Sequence, residues 1–197
     1  MTVPLIFVWP YAVLFWVVLA WVTVPEMRLL RAARKSGALR SEQDAGTGNL
    51  VIRGTNVVLP AAIAFAFLFG AATFAHRKFF LFAGVALLIA GGLLRRHCFS
   101  MLGEHFTYAV QVLANQPVVS SGAYRLVRHP SYLAGMLMFA GWGVALTNWV
   151  SVALLVVGPA LVYARRILVE ERALVATIGE PYEHYMRRTK RLIPYVY

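Results

Sequence analysis

Residues 131–164 read SYLAGMLMFAGWGVAL, TN and WVSVALLVVGPALVYA, two apolar runs separated by two polar residues. A connection as short as Thr147-Asn148 predicts that the two runs form an antiparallel pair of helices. The first run ends at Leu146, so at about 1.5 Å per residue it measures roughly 24 Å, less than a hydrocarbon core of about 30 Å. The pair therefore brings its polar ends close to lipid.

Three more apolar runs precede this hairpin, at roughly 4–24, 55–75 and 79–94. The chain has 197 residues, is 60% hydrophobic and only 14% charged, and has a mean hydropathy of +0.66. Soluble proteins carry about 25% charged residues. The sequence predicts an all-α, polytopic membrane protein of one domain, residues 1–197, with five transmembrane helices, the last two forming the short hairpin.

The net charge of +11 raises the possibility of nucleic-acid binding, but the basic residues fall in short blocks between apolar runs. One topology places all of the 19 Lys and Arg residues on the same side except Arg77 and Lys78, and it also places the eight acidic residues there. By the positive-inside rule that side is cytosolic. We therefore expect a lipid bilayer and no nucleic acid as partner, an outside N-terminus, a cytosolic C-terminus, and the plasma membrane if the protein is bacterial.

Polar side chains gather where this side meets the lipid. Arg128, His129 and Tyr132 lie at the start of the fourth run, where Pro130 suits the first turn of a helix. Arg166 and Glu170 follow the fifth run at a spacing that places them on one helix face. When each is taken alone, these residues are more often a solvated salt bridge, an interfacial histidine and belt tyrosines than a functional site; their shared position at one interface favours the site.

Other segments carry weaker signals. Composition predicts a flexible loop at 41–48, two short extended segments and a turn at 106–119, and a helical tail at 166–190 that breaks near Gly179. The scattered His97, Glu104 and His105 do not form a tight ligand cluster, so we expect no metal. Glycines in the third and fourth runs predict close helix packing; they are Gly84, Gly91, Gly92, Gly135, Gly141 and Gly143.

Four motifs resemble those of the isoprenylcysteine carboxyl methyltransferase family. They are GAYRLVRHPSY at 122–132, EERAL at 170–174, GEPYEHY at 179–185 and RLIP at 191–194. The order and spacing match the family over roughly 95–197, whereas the first three runs resemble it only in hydropathy. The resemblance divides the chain into three N-terminal spans at 1–94 and a methyltransferase-like, cofactor-binding core at 95–197.

The resemblance implies a membrane enzyme that methylates a lipophilic acceptor, such as a prenylcysteine carboxylate, with S-adenosylmethionine and without a Rossmann domain. It implies a cytosolic cofactor pocket built from the 95–130 segment and the C-terminal tail. In it, Arg166 faces the acceptor and acts with Glu170 as the catalytic pair. The expected cofactor-binding residues are Gln111, Gln116, Pro117, Val118, Val119, Tyr124, Arg128, His129, Pro130, Ser131, Tyr132 and Glu170.

The chemistry of the cofactor agrees with these residue types. S-adenosylmethionine carries a sulfonium, an amine and a carboxylate, so His129 at a helix N-terminus suits its carboxylate and Glu170 suits a cationic group. A carboxylate acceptor is ionised near pH 7 and needs no general base, whereas a neutral phenol would need one, such as Glu170 or Glu171.

Two other readings stay open at the level of sequence. One is an NADPH-dependent membrane ene or sterol reductase, whose C-terminal region resembles this one; it needs an arginine cluster for the 2′-phosphate, and only 187–191 offers one. The other is a non-catalytic membrane scaffold or small transporter subunit, although the apolar runs contain almost no ionisable residue. The methyl acceptor and the oligomeric state are left open.

Overall fold

Helices make up the regular structure of residues 3–35, 41–103, 108–112 and 116–194, the parts of the chain that the computed structural model describes. No β-strand occurs in these ranges, so the predicted all-α class is confirmed. The α-helices are α1 (Tyr11–Lys35), α2 (Thr47–Leu68), α3 (Arg77–Leu102), α4 (Pro130–Ala145), α5 (Trp149–Ile178) and α6 (Glu180–Arg188).

Four of these helices, α1, α2, α3 and α5, are long and apolar enough to cross a membrane. The first helix of the predicted hairpin, α4, has 16 residues, and three residues separate it from its partner α5. At about 1.5 Å per residue α4 is shorter than a bilayer core. The fifth membrane-spanning helix therefore stays a prediction.

Two helices run further than the sequence indicated. Pro25 follows the first apolar run and is expected to end its helix, but α1 continues to Lys35. A proline inside a helix leaves the carbonyl four residues earlier without its usual donor, and here Arg96 Nη2 donates to that oxygen, the carbonyl of Trp21, over 2.6 Å. Likewise α5 continues from the fifth apolar run into the predicted helical tail as one helix; the predicted break of that tail is confirmed at Gly179, whose φ of +72° favours glycine.

Helices in contact follow the order α1, α3, α4, α5 and α2, so that α1 and α2 are the first and last helices of a row. The row is curved, because α1 and α2 line the same cavity. Glycines bring α3 and α4 together, as predicted. A Cβ added at Gly141 would lie 2.7 Å from the carbonyl oxygen of Gly84, and one at Gly91 would lie 2.8 Å from that of Ala134. Their backbones therefore pack without intervening side chains.

One end of the row is closed by short, well-bonded connections. Asn148 caps α5 through its Oδ1 atom and donates from Nδ2 to the carbonyl of Phe69 over 2.9 Å. The N-terminal segment fills the space between α1 and α2, with the rings of Phe7 and Phe67 5.6 Å apart. The polar side chains discussed below lie at the opposite end. The loops are divided between the two ends as the charge pattern suggested. That the polar end faces the cytosol stays a prediction.

The segment 41–48 is not the flexible loop that its composition suggested. A short 3-10 turn at Glu42–Asp44 leads directly into α2, and Asp44 is only 4% exposed. Nor do the described residues of 106–119 form a strand. Instead, Val110 N donates to Asp44 Oδ1 over 2.9 Å and Val112 N donates to Gln43 Oε1 over 2.8 Å. Side-chain oxygens thus satisfy the backbone where a neighbouring strand was expected; residues 106, 107 and 113–115 lie outside the described ranges.

Candidate active site

A cavity of about 760 Å³ opens at the polar end and extends between α1 and α2 into the apolar part of the bundle. Its volume lies within the range of about 300–1,000 Å³ that is typical of small-molecule sites. Pro130 does not line it but is fully buried at the start of α4. The other residues expected from the sequence line this one cavity: Gln111, Gln116, Pro117, Val118, Val119, Tyr124, Arg128, His129, Ser131, Tyr132, Arg166 and Glu170.

Arg166 does not form the solvated salt bridge with Glu170 that its spacing allowed. It is 6% exposed, and its Nη1 atom lies 3.0 Å from Asp44 Oδ1, with a further bond of 3.1 Å to Thr47 Oγ1. Its Nε donates to the hydroxyl of Tyr132 over 2.9 Å, and its Nη2 donates to the carbonyl of Tyr108. The guanidinium is therefore held by four acceptors from three different parts of the chain.

Tyr132 connects Arg166 to Glu170. Its hydroxyl accepts from Arg166 and donates to Glu170 Oε2 over 2.5 Å. The His129 ring stacks on that of Tyr132 at 5.6 Å, and its Nδ1 lies 3.9 Å from Glu170 Oε2. The interface residues of α4 and α5 thus form one hydrogen-bonded group, which the sequence could indicate only as a neighbourhood.

Glu171 does not line the cavity, because adjacent residues of an α-helix point about 100° apart and Glu170 faces it. Its Oε1 atom accepts from Arg128 Nε over 2.8 Å and lies 3.3 Å from His129 Nε2, while Oε2 accepts from Arg191 Nε over 2.9 Å. The backbone N–H of His129 also donates to the carbonyl of Arg191 over 2.9 Å. Glu171 therefore fastens the C-terminal tail to the start of α4, which is a structural position and not that of a general base.

A second ion pair in the cavity was missed from the sequence. Glu26 of α1 lies 2.5 Å from Arg95 of α3, and Arg95 Nη1 donates to the carbonyl of Ser131 over 2.9 Å. The hydroxyl of Tyr108 donates to the carbonyl of Glu26 over 2.7 Å. The sequence shows only one acidic and one basic residue at the ends of two apolar runs, and their separation of 69 residues gives no indication that they pair.

These pairs leave one carboxylate in an unusual position. Three arginines of the cavity, Arg95, Arg128 and Arg166, pair with Glu26, Glu171 and Asp44, respectively, whereas Arg31 and Arg34 also line it and are exposed to solvent. Within the described ranges, Glu170 lines the cavity and has no ion pair to an arginine or lysine. A carboxylate whose neighbouring buried arginines already have carboxylate partners suits a cationic ligand.

The tyrosines outside the helical spans are neutral donors at ordinary pH. Burial raises the pKa of Tyr124 and of Tyr108 well above the usual value of about 10. No group of three or more metal-ligating side chains is found among the residues that the structure describes. Besides its ion-paired groups and the exposed Arg31 and Arg34, the wall of the cavity therefore offers the carboxylate of Glu170, the imidazole of His129, phenol hydroxyls, amides and apolar surface.

The comparisons with known proteins agree with this geometry. A family model described as "Phospholipid methyltransferase" matches residues 79–180, more than half of the chain. The protein belongs to this methyltransferase family. The match includes α4, α5 and almost all of α3, whereas α1, α2 and Asp44 lie before it.

Curated relatives of this family member carry the name that the motifs suggested. Protein-S-isoprenylcysteine O-methyltransferase B of Arabidopsis thaliana is 30% identical over 115 residues, 57% of this chain and 58% of that protein. The Schizosaccharomyces pombe enzyme is 30% identical over 116 residues, 58% and 49% of the two chains. A cobalt-zinc-cadmium resistance protein of Cupriavidus metallidurans is 35% identical over 80 residues, 41% and 37%. The chain spans about half the length of the curated relatives it matches, and the resemblance to the isoprenylcysteine methyltransferases is confirmed.

Proposed function

We propose that this protein is a membrane-embedded methyltransferase that uses S-adenosylmethionine to methylate the carboxylate of a lipophilic, prenylcysteine-like acceptor. The observation that carries the proposal is a single cavity with two unlike ends. One end holds Glu170 beside paired arginines, and the other is an apolar slot between α1 and α2. The family match and the names of the curated relatives support the same class of reaction.

The polar end fits the charges of the cofactor. Glu170 suits the amine or the sulfonium, and His129, at the start of α4, suits the carboxylate because a helix N-terminus favours an anion. Segment 116–119 and Tyr124 line the same end and would enclose the adenosine, while buried Pro130 fixes the turn that aims His129 and Tyr132. When bound, the cofactor supplies an electrophilic methyl group on a sulfonium.

The apolar slot fits the tail of the acceptor. Leu19 of α1, Leu59 of α2, Leu88 of α3 and Met138 of α4 line it, and a lipid chain can reach it sideways from the bilayer. Arg166 orients the acceptor carboxylate through an Nη2 N–H that donates to no other group among the described residues. Because the carboxylate is ionised near pH 7, the transfer moves no proton.

The balance of bonds is simple. The acceptor oxygen forms a bond to the methyl carbon, the bond from that carbon to sulfur breaks, and its electron pair stays on sulfur. The protein contributes position and the exclusion of water, since Arg166, Tyr132 and Glu170 are held by mutual hydrogen bonds before any ligand arrives. The positive-inside distribution supports a cytosolic position for the polar end and for the C-terminus, and α4 as a fifth span.

Calorimetric titration of the detergent-purified protein with S-adenosylhomocysteine tests the proposal. We expect micromolar binding and its weakening by at least about tenfold in Glu170→Gln, because that change removes the carboxylate that, among the described residues lining the cavity, has no arginine or lysine partner. Glu183→Gln is the matched control, since Glu183 is exposed on α6. Transfer of a labelled methyl group to a farnesylated cysteine analogue then identifies the acceptor. If the folded protein does not bind S-adenosylhomocysteine but binds NADPH, the proposal is wrong and the reductase is the better description.

A further inference from the structure

Asp44 is the most strongly bonded carboxylate outside the part of the chain that the family match covers. It is 4% exposed and precedes α2 by three residues. Its oxygens accept from Thr47 Oγ1 over 3.1 Å, from Gly48 N over 2.7 Å and from Val110 N over 2.9 Å, and they pair with Arg166 Nη1 at 3.0 Å. A buried carboxylate costs free energy unless such partners surround it, so its position is tightly fixed.

Asp44 is joined to the site by an unbroken line of contacts. It binds Arg166, Arg166 binds the hydroxyl of Tyr132, and Tyr132 binds Glu170. Gly48, the second residue of α2, lines the cavity; a Cβ added there would lie 3.3 Å from Asp44 Oδ2 and 3.4 Å from Arg166 Nη1. The same carboxylate thus anchors the α2 wall and the group that contains Glu170.

The charges of these hydrogen-bonded side chains matter as much as their geometry. Arg166 lies between two carboxylates, Asp44 in direct contact and Glu170 through Tyr132. Because Asp44 neutralises the guanidinium, Glu170 keeps its full attraction for a cationic ligand. Without Asp44, the unbalanced positive charge of Arg166 would interact with Glu170 and repel a cation in the same cavity.

We propose that Asp44 is a positioning residue of the transfer site, which holds Arg166 as a neutral ion pair and so keeps Glu170 available to the sulfonium cofactor. The inference rests on the proposed function and deepens it. It predicts that Asp44 sets the preference of the site between the cationic cofactor and its product, because transfer converts a sulfonium into a neutral thioether.

Calorimetric dissociation constants for S-adenosylmethionine and S-adenosylhomocysteine measure this preference as a ratio. In Asp44→Asn we expect the ratio of the cofactor constant to the product constant to rise by about tenfold, the scale of about 1.4 kcal/mol for an unbalanced charge. In Arg166→Gln the ratio should fall, because Asp44 is then left as an unbalanced anion. The double variant should return close to the wild-type ratio, since both charges are gone.

Glu42→Gln is the matched control. It makes the same chemical change two residues from Asp44, on an exposed side chain, and should leave the ratio unchanged. A general loss of structure weakens both ligands alike and cannot shift the ratio in opposite directions in two variants. If Asp44→Asn does not fold, the fall in Arg166→Gln and its reversal in the double variant carry the test.

The outcomes are separable. Equal weakening of both ligands in the folded variants, with a constant ratio, would overturn the positioning role and leave Asp44 as a structural anchor. Wild-type protein that binds neither ligand would overturn the proposed function, and this inference with it. Wild-type binding with ratios that shift in opposite directions supports both.

Discussion

Removing the charge of Glu171 tests how the C-terminal tail is held. In Glu171→Gln the shape is kept, but buried Arg128 and half-buried Arg191 lose their counter-ion. Breaking a buried ion pair costs about 3–5 kcal/mol because the remaining charge stays uncompensated. For a chain of this length about 1 kcal/mol corresponds to about 2–4 °C, so we expect the melting temperature in detergent to fall by about 6–20 °C.

The chain provides its own reporter for this measurement. Cys98 is its single cysteine and is fully buried, so a maleimide dye that fluoresces on reaction with a thiol reports unfolding. Glu183→Gln, on the exposed face of α6, should change the melting temperature by no more than about 2 °C, since surface changes are usually within about 0.5 kcal/mol. A Glu171→Gln protein as stable as this control would refute the tail-fastening role of Glu171.

Three further predictions follow from single contacts. Tyr132→Phe removes a donor to Glu170 and an acceptor for Arg166, each bond worth about 1.5–3 kcal/mol, so labelled-methyl transfer should fall by at least about tenfold; an unchanged rate would contradict the arrangement. Gly141→Ala should lower the melting temperature by several degrees, because the new Cβ meets backbone 2.7 Å away, whereas Gly54→Ala meets only a side-chain carbon at 3.8 Å and should not. Burial raises the pKa of Tyr185 to about 12, so this tyrosine stays protonated in the folded state at pH values where the unfolded chain ionises; stability should therefore decline as the pH rises above about 10, less steeply in Tyr185→Phe, when followed by tryptophan fluorescence.

The local features of the fold could be predicted from the sequence. Apolar runs with a two-residue gap specify the α4–α5 hairpin, and Gly84 and Gly141 specify the close contact of α3 with α4. The motif residues of the cofactor end also come together as expected, all but Pro130 on the wall of one cavity. In each case the signal is local: the length of an apolar run, a small residue within such a run, or a motif of fixed spacing.

Long-range partners could not be predicted in this way. Asp44 and Arg166 are 122 residues apart, and Glu26 and Arg95 are 69 apart. Composition alone made 41–48 a loop, because Ser, Asp and Gly favour turns when no distant donor is known. The proline rule failed at Pro25 for the same reason, since the donor to the freed carbonyl of Trp21 is Arg96 on another helix.

The distribution of charge between the two halves of the chain has a consequence for the role of the first two helices. The family match begins at residue 79 and includes Arg95 and Arg166, but their counter-ions Glu26 and Asp44 precede it. A chain reduced to the matched region would remove the carboxylate partners of two largely buried arginines, at about 3–5 kcal/mol each, and would open the slot that α1 and α2 border. Since a typical domain is stable by only about 5–15 kcal/mol, helices α1 and α2 are better described as part of the site than as a membrane anchor attached to it.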